Sequence, residues 1–206
     1  METQQNESLF HINPDLVLER QQDKSLSGIS KDHVFRYALA CAKIPPSSSV
    51  LDIACGCGYG SKMIQVMGHR VVGVDIESEA VEFARKHYPG PTYIKADAHK
   101  LWRMAADVLV SLETLEHLKN PMALLDSCEV RMVIASTPNA ELYKFDPQRF
   151  AGDKYPHLRH YTPAEFDRLM ENAGFHVSER YCQKSKFEPE IREGTEGIFL
   201  TYVCQR

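Results

Sequence analysis

The stretch Val50-Leu51-Asp52-Ile53-Ala54-Cys55-Gly56-Cys57-Gly58-Tyr59-Gly60-Ser61 joins a short apolar run, Val50 to Ile53, to a turn with glycine at every second position. An apolar run of that length closed by glycines reads as a buried strand, and Tyr59 to Met67 after it as a helix. Glycine has no Cβ, so the backbone at Gly56, Gly58 and Gly60 can turn sharply and come close to a ligand that a larger side chain would hold off. The helix that follows aims its first amide groups at the same place. Strand, glycine turn and helix in this order form the start of a βαβ unit with a nucleotide-type pocket at the end of the strand.

The same alternation continues downstream. Arg70 to Ile76 is a second β-branched run that includes Asp75, and Ser78 to His87 reads as a helix. Thr92 to Lys95 leads into Ala96-Asp97-Ala98, and Ala106 to Leu112 into Glu113-Thr114-Leu115-Glu116-His117-Leu118. A helix over Pro121 to Ser127 and a strand over Arg131 to Ser136 complete the series. Short Val/Ile-rich runs separated by helices imply an α/β fold with a parallel sheet. Ligands of such sheets bind at the carboxyl ends of the strands, near the point where strand order reverses. Asp52, Asp75, Asp97 and Glu113 all fall at or just past those ends. An ionised carboxylate can only accept hydrogen bonds and the vicinal hydroxyls of a ribose offer two donors, which suits Asp75.

The glycine spacing separates cofactors. A dinucleotide fingerprint requires G-x-G-x-x-G, and here Ser61 stands at the last glycine position, which argues against NAD. G-x-G-x-G behind the acid Asp52 resembles the first motif of the class I S-adenosylmethionine (SAM) methyltransferases. The resemblance runs from about Ser30 to Val177 and is closest to the small-molecule and glycan methyltransferases related to the ubiquinone-type enzymes. These share the strings S-x-E-T-x-E-H-L, here Ser111 to Leu118, and S-T-P-N, here Ser136 to Asn139.

The resemblance implies a Rossmann-like, doubly wound, mostly parallel sheet of seven strands with helices on both faces. It implies SAM as cofactor, with contacts at Asp52, Ala54, Gly56, Gly58, Asp75, Ile76, Asp97, Ala98 and Glu113. In the family Asp75 would take the ribose hydroxyls, Ile76 the adenine face, Asp97 the exocyclic amine, and Glu113 the positive methionine end. One departure stands out: the relatives place a longer helix and a Pro-Gly-Gly turn where Asp126-Ser127-Cys128-Glu129-Val130 runs almost directly into the next strand. The shortening bears on oligomer contacts and exact family membership more than on the cofactor.

SAM carries an already activated methyl group, so the implied tasks are acceptor alignment and exclusion of water. If the acceptor is a hydroxyl, a base titrating near neutrality helps remove its proton. His117, His157 and His160 are the candidates, each with a hydrogen-bonded structural role as the alternative, and Glu116 is expected at the surface. The function implied is methyl transfer to a small-molecule or glycan-type acceptor, at oxygen. A nucleic-acid methyltransferase is the alternative within the enzymes, although Ser111-Leu112-Glu113-Thr114 lacks the Asp/Asn-Pro-Pro-aromatic string of the base-amino enzymes. A non-catalytic SAM-fold binding module is the alternative outside them.

Composition limits the remaining classes. At 206 residues with 43% hydrophobic content, the chain suits one domain able to bury its own core. Within it we expect a helical arm over 1–45, the cofactor core over 49–137, and an acceptor-side region with the last strands over 138–206. Ser30 is expected to cap a helix whose apolar residues Val34, Tyr37, Ala38 and Cys41 share one face; Arg36 and Tyr37 then either reach the pocket or pack. Thr162-Pro163-Ala164-Glu165 reads as a capping box ahead of a helix ending at Gly174. Phe175 to Tyr181 and Ile198 to Cys204 read as the last strands, joined by a polar exposed loop.

A formal net charge of −4 disfavours long nucleic acid as a partner. Arg149, Lys154 and Arg159 are the nearest approach to a basic patch. Met1 to Ser8 lacks the features of a secretory signal and no apolar run is long enough to span a bilayer, so a cytoplasmic setting is expected. Six cysteines without C-x-x-C pairs read as reduced thiols, and no metal is expected. Nothing in the sequence sets the oligomeric state.

Overall fold

A computed structural model describes residues 29–101, 103–185 and 187–206. Positions 1–28 of the expected helical arm lie outside the described residues. The first described elements are α1 (Lys31–Lys43), β1 (Ser49–Ile53), α2 (Tyr59–Val66), β2 (Arg70–Asp75), α3 (Ser78–His87) and β3 (Thr92–Lys95). The chain continues through β4 (Met104–Ala105), β5 (Val108–Leu112), α4 (Pro121–Ser127), β6 (Cys128–Glu129) and β7 (Met132–Pro138). It ends with α5 (Pro163–Asn172), β8 (His176–Gln183), β9 (Arg192–Glu193) and β10 (Phe199–Gln205).

Eight of these strands form one sheet in the order β3-β2-β1-β5-β7-β10-β8-β9. The strands from β3 to β7 pair in parallel, and β10 runs antiparallel between β7 and β8. Strand order reverses between β1 and β5, so the loops after β1, β2 and β5 open toward one crevice. The expected seven long strands are present. The eighth, β9, comes from the polar segment expected to be a loop, whose Arg192 and Glu193 pair with Cys182 and Tyr181 of β8. Within the shortened connection, Cys128 and Glu129 pair in parallel with Met104 and Ala105 as a separate two-stranded sheet.

The near-continuous apolar strands follow from burial on both faces. Because side chains alternate along a strand, Val50, Val108, Val110 and Ile134 pack on one face with Tyr37 and Ala40 of α1, Ile44 just past its end, and Ile64 of α2. Leu51, Leu109, Val133 and Ala135, their neighbours in sequence, pack on the other face with Leu124 and Leu125 of α4 and Phe166 and Met170 of α5. The Phe166 ring lies flat against Tyr202 of β10 at 4.3 Å.

Helix ends differ in how well their chemistry shows in sequence. At α5 the Thr162 side chain accepts from the Glu165 amide while the Glu165 carboxylate accepts from the Thr162 amide, a complete capping box. Ser30 holds the cap position of α1, but its hydroxyl bonds to Asp32 rather than to a helix amide. Among the described residues no helix is long and apolar enough to cross a membrane.

Phe166 is fully buried at the junction of α5 and the sheet. Phe166→Ala should therefore lower unfolding stability by about 3–5 kcal/mol, read from urea midpoints; a loss under about 1 kcal/mol would mean that α5 does not rest on that ring.

Candidate functional site

The loops after β1, β2, β3 and β5 frame a cleft of about 700 Å³. Of the sequence-predicted cofactor residues, Ala54, Gly56, Asp75, Ile76, Asp97, Ala98 and Glu113 line it. Gly56 has φ +54°, and a Cβ built there would meet nothing within 4 Å, so the backbone is bare toward open space. Its amide donates to Asp75 Oδ2 at 2.8 Å, and the Glu77 amide donates to Asp75 Oδ1 at 2.9 Å. These bonds fix the carboxylate at the tip of β2 against the glycine turn. Ile76, next in the chain, remains 39% exposed, an apolar surface presented to the cleft. Asp97 accepts from the His99 amide at 3.0 Å and its ring at 2.9 Å; these bonds, the amide foremost, hold its carboxyl below the ordinary value.

Two members of the expected cofactor set lie beneath the cleft rather than in it. Asp52 is 0% exposed and accepts from Tyr37 Oη of α1 at 3.0 Å and Ser61 Oγ of α2 at 2.5 Å. Burial pushes its carboxyl up to about 7 against the pull of those two donors. Gly58, with φ +87°, caps α2, and a Cβ there would strike Ala84 Cβ at 2.5 Å and Tyr93 Oη at 2.8 Å. A larger residue at 58 thus collides with α3 and β3, not with a ligand in the cleft. Gly60 is constrained likewise: a Cβ would fall within 2.4 Å of the Tyr37 ring.

Helix α1 contributes more to the cleft than its sequence suggests. Arg36 borders the cleft yet is fully buried, donating to Gln183 Oε1 at 2.7 Å and Asp32 Oδ2 at 3.0 Å while stacking over Phe199. Burial acts to raise the Asp32 carboxyl, but Arg36 and His33 outweigh it and hold the group low. The i,i+4 spacing of Asp32 and Arg36 was the available signal, but it looks like any surface helix pair. Opposite them, Glu113 sits at φ +48° with its carboxylate accepting from Ser136 Oγ at 2.8 Å. Burial raises the Glu113 carboxyl, with Arg36 opposing.

The segment after β7 closes the remaining side. Lys154 Nζ lies 2.6 Å from Glu77 Oε1, and Tyr155 donates to the same oxygen, so this strap crosses the cleft beside Ile76. The three candidate histidines come together here. His157 Nδ1 is 2.8 Å from His160 Nε2, and His160 Nδ1 is 2.7 Å from the Tyr143 carbonyl. His117 Nδ1 is 3.2 Å from the Pro156 carbonyl, with its ring edge-on to His157 at 4.5 Å. Phe150 stacks on His157 at 4.1 Å. His117 and His157 line the cleft, whereas His160 is 6% exposed and lies behind them. Burial, with His117 and His160 beside it, drives the His157 imidazole down to about 3. His157 is therefore neutral across the physiological range.

Glu116 does not lie at the surface. It is 0% exposed, and burial, reinforced by Glu113, raises its carboxyl well above the ordinary value. The fold turns it inward because the single 3₁₀ turn Leu115–His117 buries Leu115 and Glu116 together. One carboxylate oxygen of Glu116, one nitrogen of His117 and one of His157 lie within 4.8 Å of one another. Local spacing could not show this group, since His157 comes from a loop 40 residues away. The basic residues of the same region are engaged as well: Arg149 lies over Tyr143, and Arg159 donates to the Lys119 carbonyl.

A family model described as "Methyltransferase domain" matches residues 51–133. A ubiquinone biosynthesis O-methyltransferase from Shewanella pealeana is 36% identical over 181 residues, covering 75% of this chain and 74% of the relative. The chain belongs to the SAM-dependent methyltransferases. A probable SAM-dependent methyltransferase from Mycolicibacterium smegmatis is 30% identical, over 70% of this chain and 56% of the relative. The methyltransferase thus spans about half the length of the first curated relatives it matches. In fold it is similar to a Thermotoga maritima SAM-dependent methyltransferase described as a possible histamine N-methyltransferase. That likeness has a TM-score of 0.67 at 20% identity and covers 84% of this chain and 90% of the other.

Two groups of the methyltransferase, buried Asp52 and half-buried His157, give stability opposite pH dependences. Asp52 has a folded value near 7 against an ordinary 3.8, so the folded state binds more protons and this contribution falls as pH rises from about 4 to about 7. His157, lowered from 6.5 to about 3, loses its contribution as pH falls from about 6.5 to about 3. Asp52→Asn should therefore steepen the rise of stability with pH between about 4 and 7 relative to the parent, and His157→Gln should flatten it. Urea midpoints at half-unit steps measure both; parallel curves for parent and Asp52→Asn would show that Asp52 titrates normally.

Proposed function

We propose that this methyltransferase acts on a small-molecule or glycan-type acceptor, at oxygen. The observation that carries the reading is the form of the cleft: a cofactor-type rim of acids and bare glycine backbone faces His117 and His157 under the strap. An enclosed cleft suits an acceptor small enough to be surrounded, because alignment and exclusion of water both need walls. The engagement of Lys154, Arg149 and Arg159 with neighbours, together with the net charge of −4, weighs against a long phosphate backbone as partner.

SAM, when bound, supplies a methyl carbon activated by its sulfonium sulfur. Asp75 would accept from the ribose hydroxyls with lone pairs not used by the Gly56 and Glu77 amides. Ile76 would cover one adenine face, Asp97 and Ala98 would meet its edge, and Ala54 and Gly56 would let the cofactor approach the backbone. Asp32, Arg36 and Glu113 would meet the zwitterionic methionine end, with Arg36 toward the carboxylate and the acids toward the positive groups. Asp52 and Gly58 would act from beneath by holding the turn. His117 would take the hydroxyl proton, with His157 beside it and His160 fixing the orientation of His157.

Asp75→Ala should weaken SAM and S-adenosylhomocysteine binding by more than about 100-fold by calorimetry, in keeping with two lost hydrogen bonds to a charged acceptor. With labelled SAM, the parent should transfer methyl to members of a phenol and sugar-alcohol panel and not to matched amines. Labelling of amines alone would overturn the assignment to oxygen, and unchanged affinity in folded Asp75→Ala would overturn the pocket.

A further inference from the structure

Arg36 is held at the cleft wall by contacts from opposite ends of the chain. It is fully buried, so its charge must be met from within the protein or by a ligand. Asp32 Oδ2, one helical turn earlier in α1, accepts from Nη2 at 3.0 Å, and the guanidinium lies over the Phe199 ring, 4.9 Å from its centroid. The remaining contact, from Nη1 to Gln183 Oε1 at 2.7 Å, comes from the last residue of β8, 147 positions away in sequence. Further donors of the guanidinium are left over, and the buried Nε–H has no hydrogen-bond partner among the described residues. An unmet buried donor bordering a cleft suits an anionic group that arrives with a ligand.

Gln183 is itself fixed in one orientation. It is 1% exposed, and its Nε2 donates to the Asp32 carbonyl at 3.0 Å and to the Pro189 carbonyl at 2.6 Å. Carbonyl oxygens only accept, so the amide nitrogen must face them and the amide oxygen must face Arg36. One side chain thus grips the main chain of α1 at Asp32 and presents an acceptor to the guanidinium one turn further on. That this acceptor is neutral matters for charge. An amide orients the guanidinium without cancelling it, whereas a glutamate would set another carboxylate beside Asp32 and reduce the pull of Arg36 on an incoming anion.

We propose that Gln183 is a positioning residue for the cofactor: it sets the Arg36 guanidinium to receive the carboxylate at the methionine end of SAM. The assignment rests on the SAM reading above. Because the Pro189 carbonyl is bound by the same amide, the loop that follows β8 and the methionine end of the cleft share one anchor. The adenosine half of the cofactor falls to a separate set, Asp75, Ile76 and Asp97, on the other side of the cleft floor. Loss of Gln183 should therefore be felt by ligands that carry the amino-acid end and not by those that lack it, a selectivity that a general loosening of the fold would not produce.

Calorimetry on the parent, Gln183→Met and Gln183→Glu tests this with SAM, S-adenosylhomocysteine and methylthioadenosine, which has the adenosine and sulfur but no amino-acid end. Gln183→Met should weaken the first two about tenfold and methylthioadenosine by less than about twofold. Gln183→Glu should show the same selectivity even though it restores an acceptor for Arg36. Circular dichroism and thermal melts verify folding. In the parent, the Gln183 side-chain amide signals in heteronuclear NMR should shift with S-adenosylhomocysteine and not with methylthioadenosine, which carries the test if neither variant folds. Equal weakening of all three ligands in folded Gln183→Met, unchanged affinity in that variant, or amide signals that respond alike to both ligands overturns the role of Gln183 and leaves the methyl-transfer reading standing. A folded parent that binds none of the three overturns that reading, and this inference with it.

Discussion

The carboxylate of Asp52 joins the parts on which the cleft depends. It sits near the end of β1, fully buried, and takes one hydrogen bond from α1 through Tyr37 and another from α2 through Ser61. The Tyr37 ring occupies the space above Gly60 that a side chain there would need, so the glycine is required by the tyrosine and the tyrosine is positioned by the acid. The glycine turn is thereby set between two helices and a strand that share one buried acceptor. From that turn the Gly56 amide reaches Asp75, which carries the constraint from β1 to the tip of β2. Removing water from Asp52 raises its pKa, and the two donors offset part of that cost.

Much of the fold was legible in the sequence because it rests on local signals. The apolar runs marked the long strands to within a few residues, since strands buried on both faces must be apolar throughout. The Thr162 capping box was readable because all its atoms lie within one helical turn. What the sequence did not show required long-range partners. The strands β4, β6 and β9 have two residues each, too short for any periodicity, and they exist because each finds a neighbour to pair with.

The site divides along the same line. Asp75, Ile76 and Asp97 line the cleft, because the ends of successive parallel strands converge on one rim. Asp52 and Gly58 were found as residues but not as to role: both support the cleft from beneath, a distinction that depends on which way a side chain leaves the turn. Glu116 was misjudged as a surface residue since a glutamate in a loop is ordinarily solvated. Only the inward 3₁₀ turn, together with a histidine loop arriving from beyond β7, makes it interior. The sequence favoured packing over the pocket for Arg36, and the structure gives it both, buried yet at the cleft wall.

The cysteines of the glycine turn bear on the chemical durability of the protein. Cys55 lies 2% exposed against Val81 and Ala84, and burial, with the acids Asp52 and Asp75 nearby, pushes its thiol well above the ordinary range. Alkylating agents and peroxide attack the thiolate, so a sulfur that keeps its proton and has almost no surface is a poor target. Cys41 and Cys204, both raised to about 12 chiefly by burial, share that inertness. The turn can thus carry the Cys55 sulfur without offering it to oxidative attack.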